Sequence, residues 1–161
     1  MKNKSILFMT QAAMIAAIYV ILTVVFAPIS FSVGQVRIAE ALTILPAFTP
    51  AAIPGLFIGC LIGNIIAGAI LPDIIFGSLA TLIGACFTYL LRTQNKFLAP
   101  LPPILSNTII IPLILRYAYG LKYGISFMML MVGIGEVISC GVLGMLLYTA
   151  LQKQRYKIFK H

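Results

Sequence analysis

The sequence predicts an all-α polytopic membrane protein with six transmembrane helices and both termini in the cytoplasm. Three observations lead there. Charged residues make up only 9% of the chain and hydrophobic ones 61%, whereas a soluble domain is about 25% charged. Mean hydropathy is +1.11. Between Glu40 and Asp73 no charged residue occurs, and that run exceeds the roughly 20 apolar residues of one crossing. The basic residues also alternate along the chain. Lys2, Lys4, Arg92, Lys96, Lys153, Arg155, Lys157 and Lys160 fall on one set of connections, and Arg37, Arg116 and Lys122 on the other. This is the positive-inside pattern, and with both ends in the rich set it requires an even number of spans. The net charge of +8 is therefore read as topology in a cell membrane rather than as a nucleic-acid surface. At 161 residues the chain is one integral membrane domain, 1–161, with little left for a soluble one.

Taken in order, the first span runs from about Ser5 to Ala27. Its charged start resembles a signal peptide, but it is long enough to cross and further spans follow. It carries Ala12, Ala13, Ala16 and Ala17, pairs four apart that make a smooth face. That face either packs inside the protein or docks another membrane subunit. The connection FAPISFSVGQ has the composition of a loop, and Phe26 and Phe31 either cap a pocket or anchor at the interface. Pro46, Pro50 and Pro54 divide the following apolar run, because proline removes a helix hydrogen bond and clashes with the previous turn. The expectation is a short helix over about Val36–Phe48 and a second over about Gly55–Leu71. The second carries Ala51, Gly55, Gly59, Gly63 and Ala67, a small-residue stripe that lets two backbones approach closely in lipid. Asp73 follows Pro72 and suits the first turn of span four, where the helix dipole favours an acid. Span five begins near Leu101 and should kink at Pro112. Tyr117, Tyr119 and Tyr123 fit an interfacial aromatic belt. Span six covers about Ile125–Leu151.

Four polar residues stand out as candidates for binding a substrate: Arg37, Glu40, Asn107 and Glu136. Arg37 and Glu40 are three apart and share a helix face with Thr43. They either pair with each other or face a ligand. Glu136 is the one acid well inside an apolar span, where a carboxylate costs on the order of 2.5–3.5 kcal/mol and reads as functional by default. Gly133, Cys140 and Gly144 share its face. Asn107 must find a hydrogen-bond partner within the membrane, in a neighbouring helix or a ligand. Arg116 lies nine residues further on, roughly on the opposite face, and is not assigned to the same site.

Other function classes find little support. No nucleophile–base pair is visible, so catalysis is not expected. The cysteines Cys60, Cys86 and Cys140 lie one per apolar span without CxxC spacing, and the single histidine is His161, so neither a metal site nor a cofactor is predicted. No phosphate-binding GxxxxGK[ST] loop is present, and any ATP-driven step would belong to another subunit.

The run APISFSVGQVRIAEALTILPAFTPAAIPGLFIGC, with SNTIIIP and GEVIS downstream, resembles the QueT family. These are substrate-binding S components of energy-coupling-factor (ECF) transporters, assigned to queuosine precursors. The resemblance covers nearly the whole chain and is most specific over Val36–Cys60. It implies six helices, cytoplasmic termini, a pocket opening outward, and three partners: a transmembrane coupling subunit and two cytoplasmic ATPases. It also implies a ligand of the 7-deazaguanine type. A guanine-like edge offers adjacent N–H donors, for which Glu136 or Glu40 is a natural acceptor. Its carbonyl accepts from Arg37 or Asn107. The alanine face matches the S-component pattern for docking the coupling subunit. Two alternatives stay open: an S component for another vitamin-like metabolite, and a membrane scaffold without a ligand.

Overall fold

The computed structural model describes residues 2–30 and 36–153, and these form an all-helical bundle. Six principal helices follow in order: α1 (Lys2–Val25), α2 (Ile38–Ala47), α3 (Ala52–Ile66), α4 (Leu71–Leu91), α5 (Leu101–Tyr117) and α6 (Ile125–Gln152). Helices α1, α4 and α6, and α5 together with the 3₁₀ turn Lys96–Leu98 before it, are long and apolar enough to cross a membrane, while α2 and α3 are shorter apolar helices. Large apolar side chains face outward on the long helices, among them Met14, Ile83, Leu105 and Leu130. That is the surface a lipid environment requires. Phe31, Gly34 and the basic tail residues Arg155, Lys157 and Lys160 lie outside the described residues.

The small-residue stripe of α3 packs on α1, as its spacing predicts. A Cβ on Gly55 would stand 2.7 Å from the Ala12 carbonyl oxygen, and one on Gly59 2.8 Å from Tyr19 Cβ. Gly63 meets Thr23 in the same way. The pairs 12/55, 16/59 and 23/63 show that α1 and α3 run parallel. The short helix between them must therefore run back. Its first turn lies beside Tyr19, and Thr49 just beyond its end donates to Gln11 at 2.9 Å. Helices α4 and α5 are antiparallel, pressed together where Gly84 faces Pro103 and Thr88 Oγ1 donates to the Ala99 carbonyl. Helix α6 returns along α5, with Gly133 beside Thr108 and Gly141 near Ile104. These directions bring Lys4, Arg92, Lys96 and Lys153 to one end of the bundle and Arg116 and Lys122 to the other.

Two helices depart from regular α geometry, and both matter for the site. Helix α2 is a 3₁₀ helix for its whole length, with Pro46 inside it and every residue from Ala39 to Ala47 buried. Runs longer than three or four residues are uncommon for this geometry. At about 2 Å per residue, ten residues reach about 20 Å, short of a bilayer core of about 30 Å. Helix α2 is thus a short apolar helix enclosed by its neighbours. Helix α6 contains a π-helical stretch, Val137–Leu143, wider than an α-helix and typical of functional positions. Helix α5 continues past Pro112 to Tyr117.

Candidate functional site

The 3₁₀ winding of α2 stacks residues three apart on one face, which places Arg37, Glu40 and Thr43 in a row. That row points into the bundle, not along its edge: Arg37 is 6% exposed and Glu40 0%. The sequence left open an ion pair between the two. In the fold Arg37 is paired with Asp73 instead, at 3.6 Å. Asp73 sits in the first turn of α4, as its place after Pro72 predicts, but it is buried and faces the site. Its other oxygen accepts a 3.0 Å hydrogen bond from the Tyr119 hydroxyl. Burial, reinforced by the Asp73 charge, raises the Tyr119 phenol above its ordinary range and keeps it a donor. Tyr119 stays exposed like Tyr117 and Tyr123, with only its hydroxyl turned to Asp73. Arg37, Asp73 and Tyr119 form a layer at the Arg116 end of the bundle.

Beneath it lies a second layer built on two carboxylates. Glu40 Oε1 accepts from the Tyr19 hydroxyl on α1 and from Thr81 Oγ1 on α4, the latter at 3.2 Å. Glu136 Oε1 accepts from Asn107 Nδ2 at 3.1 Å, and its Oε2 from Cys140 Sγ at 3.2 Å. The Cys140 thiol also reaches the Glu40 carbonyl oxygen at 3.4 Å, and Thr43 Oγ1 donates to that carbonyl at 2.6 Å. The π stretch of α6 and the 3₁₀ helix thus meet at Cys140 and Glu40. Among the described residues, two acceptors in this layer have no hydrogen-bond partner: Glu40 Oε2 and Asn107 Oδ1. An unpartnered buried acceptor forfeits about 1–3 kcal/mol of desolvation.

The four predicted binding residues are therefore brought into one interior region from α2, α5 and α6. Arg116 is elsewhere: it is exposed and its guanidinium holds the Leu121 and Tyr123 carbonyls of the α5–α6 connection. Sequence reasoning missed Tyr19, Thr81 and the functional placement of Asp73. For Asp73 a signal existed, because it is one of only three acids in the chain. For Tyr19 and Thr81 none did, since both are ordinary residues in apolar spans until the fold aims them at Glu40.

The alanine face of α1 divides in the structure. Ala12 and Ala16 face α3, where Gly55 and Gly59 pack on them, with Ala16 buried and Ala12 half-buried. Ala13 and Ala17 are on the exposed side.

The cysteine spacing predicts no metal site. Instead the ligating atoms of Glu40, Glu136 and Cys140 gather within 4.8 Å of one another. The thiol here acts as a donor to carboxylate and carbonyl, whereas a metal-bound cysteine is a deprotonated ligand. Two grooves lie outside this site. A groove of about 650 Å³ between α5 and α6 and another of about 620 Å³ between α4 and α5 are lined almost wholly by apolar side chains. Both open on the outer wall of the bundle.

Comparison with known proteins agrees with the polytopic helical architecture. Neither the curated proteins nor the solved structures supply a match. The family model described as QueT transporter matches residues 9–153, which includes all six principal helices almost end to end and every polar residue of the buried site. The chain is thus a multi-pass membrane protein that belongs to the QueT transporter family.

Proposed function

We propose that the protein is the substrate-binding S component of an ECF uptake transporter and captures a queuosine precursor of the 7-deazaguanine type from outside the cell. In this reading all six helices lie within the bilayer, with both termini in the cytoplasm and the Arg37–Asp73–Tyr119 layer facing outward. The protein does no chemistry on its ligand. Hydrolysis of ATP belongs to two cytoplasmic ATPases, and a transmembrane coupling subunit links them to this chain.

The observation that carries the reading is the pair of buried, unpartnered acceptors, Glu40 Oε2 and Asn107 Oδ1, below a buried guanidinium. A guanine-like edge presents a ring N–H and an amino group side by side, with a carbonyl next to them. The two acceptors suit the first pair and Arg37 suits the carbonyl. Glu136 supports Asn107 by holding its amide nitrogen. The outer face of α1 around Ala13 and Ala17 is the surface assigned to the coupling subunit, because small residues allow close helix approach.

Calorimetry on the purified chain tests the ligand reading. A 7-deazaguanine should bind, and an adenine-like base should bind at least tenfold more weakly, since a correct bidentate pair is worth about 1–3 kcal/mol of discrimination. Equal binding of both bases would refute recognition through the guanine edge.

A further inference from the structure

The groove of about 620 Å³ between α4 and α5 takes no part in the polar site. Phe76, Leu79 and Ile83 of α4 and Leu113 and Tyr117 of α5 line it, and all five are exposed on the outer wall of the bundle. Its α4 wall runs from Pro72 to Ile83, a rise of about 16 Å at 1.5 Å per residue. Half of a bilayer core is about 15 Å. The groove therefore begins at the first turn of α4 and stops near mid-membrane, the depth of one lipid leaflet.

A cation stands at its mouth. Arg116 adjoins Tyr117 in sequence and lies three residues beyond Leu113, on the same face of α5. Its Nη1 holds the Leu121 and Tyr123 carbonyls at 3.0 and 3.4 Å, which leaves the donors on Nη2 and Nε for a further acceptor. Tyr117 is 76% exposed at the same level, where an amphipathic ring suits the headgroup region. The groove between α5 and α6 differs in this respect. Its α5 wall reaches only from Ile104 to Thr108, about 12 Å short of Arg116 along the helix.

We propose that this groove binds an anionic phospholipid, with one acyl chain lying between α4 and α5 and the phosphate on Arg116. An apolar trough one leaflet deep fits a hydrocarbon chain. Arginine suits the phosphate, because its planar fork can give two parallel, charge-assisted N–H bonds to one anion. In the proposed orientation the lipid belongs to the outer leaflet. The inference needs only the placement of the helices in a membrane and is independent of the substrate.

The chain has no tryptophan, so a single introduced indole reports on its own surroundings. Full-length Phe76→Trp, reconstituted in phosphatidylcholine vesicles, is titrated with chain-brominated phosphatidylglycerol and separately with chain-brominated phosphatidylcholine. Bromine quenches indole fluorescence on contact. The anionic lipid should bind about fivefold more tightly, the effect expected of one basic side chain beside an anionic lipid. Ile21→Trp, on the exposed side of α1 toward the same end of the bundle, should show no preference. Within the Phe76→Trp protein, Arg116→Gln should remove the preference and Arg116→Lys should keep most of it. Equal quenching by the two lipids at Phe76→Trp overturns the inference, and so does the absence of quenching by either. The same preference at Ile21→Trp also overturns it, because the lipid would then be drawn by the basic protein as a whole. A preference that survives Arg116→Gln removes the arginine from the site and rejects the inference as stated. Should Arg116→Gln not fold, the contrast between the Phe76→Trp and Ile21→Trp proteins still decides.

Discussion

At Glu40 and Glu136 the same side-chain chemistry meets two different fates. Both oxygens of Glu136 are engaged, one by Asn107 and one by Cys140, whereas Glu40 keeps Oε2 unpartnered. Read from sequence, Glu136 is the leading ligand acceptor because it is the deep acid of a long span. The hydrogen bonds shift that expectation toward Glu40, with Glu136 positioning Asn107. Two substitutions separate the roles. Glu40→Gln exchanges the unpartnered acceptor for a donor, and under the proposed function it should weaken ligand binding about tenfold to a hundredfold with little change in melting temperature. Glu136→Gln places an amide against Asn107 and Cys140, both donors to it, and should lower stability by about 1–3 kcal/mol as well as weaken binding. Calorimetry and thermal unfolding on each variant check this. Loss of binding at unchanged stability in Glu136→Gln alone would reverse the assignment. Tyr19→Phe removes a buried donor to Glu40 without altering shape. It should cost about 1–3 kcal/mol, read as a lower melting temperature that added ligand partly restores.

Helix by helix, the sequence pattern was most informative where packing depends on size alone. The stripe Gly55, Gly59 and Gly63 predicts a close helix contact, and α3 makes it with α1. Gly55→Leu or Gly59→Leu must force that contact apart, since a Cβ alone comes within 2.7–2.8 Å of α1. Either should destabilise the protein by about 1–3 kcal/mol, measured by thermal unfolding in detergent. The alanine face of α1 was legible as a packing surface but not as two surfaces. Leucine at Ala12 and Ala16 should act like the glycine substitutions. Leucine at Ala13 and Ala17 should leave folding and ligand binding unchanged while lowering uptake by the assembled transporter. Normal uptake in the Ala13/Ala17 variant would exclude that side of α1 as the docking face. The irregular helices escaped sequence reading for a physical reason. A 3₁₀ helix and a π stretch use the same residues as an α-helix, and what stabilises them is the fit of neighbours, here α2 enclosed among α1, α3, α4 and α6.

Across the whole molecule, the helix directions place Lys4, Arg92, Lys96 and Lys153 at one end and Arg116 and Lys122 at the other, which accords with the charge alternation in the sequence. The proposed orientation in the membrane rests on the positive-inside rule. In a background without native cysteines, single cysteines near Gln94 and Gln154 should resist an impermeant reagent applied to intact cells. Those near Gly34 and Lys122 should react. Because Cys140 donates to Glu136, its replacement in that background should be serine, which keeps a donor. A reactive tail position would overturn the six-span topology.

The sequence by itself determined that this chain is a bundle of apolar helices, where its breaks fall, which stripe packs closely, and that four polar residues demand an explanation. Those properties depend on composition and periodicity, which are local and additive along the chain. Only the tertiary structure decided the partners. Arg37 meets Asp73, 36 positions away in sequence, and Glu40 meets Tyr19 and Thr81 from two other helices. Which polar groups satisfy each other inside a bundle depends on helix direction, rotation and register together, and a one-residue change of register turns a side chain by about 100° around its helix axis. The vacancy at Glu40 Oε2 is a property of that three-dimensional arrangement, and no spacing along the chain encodes it.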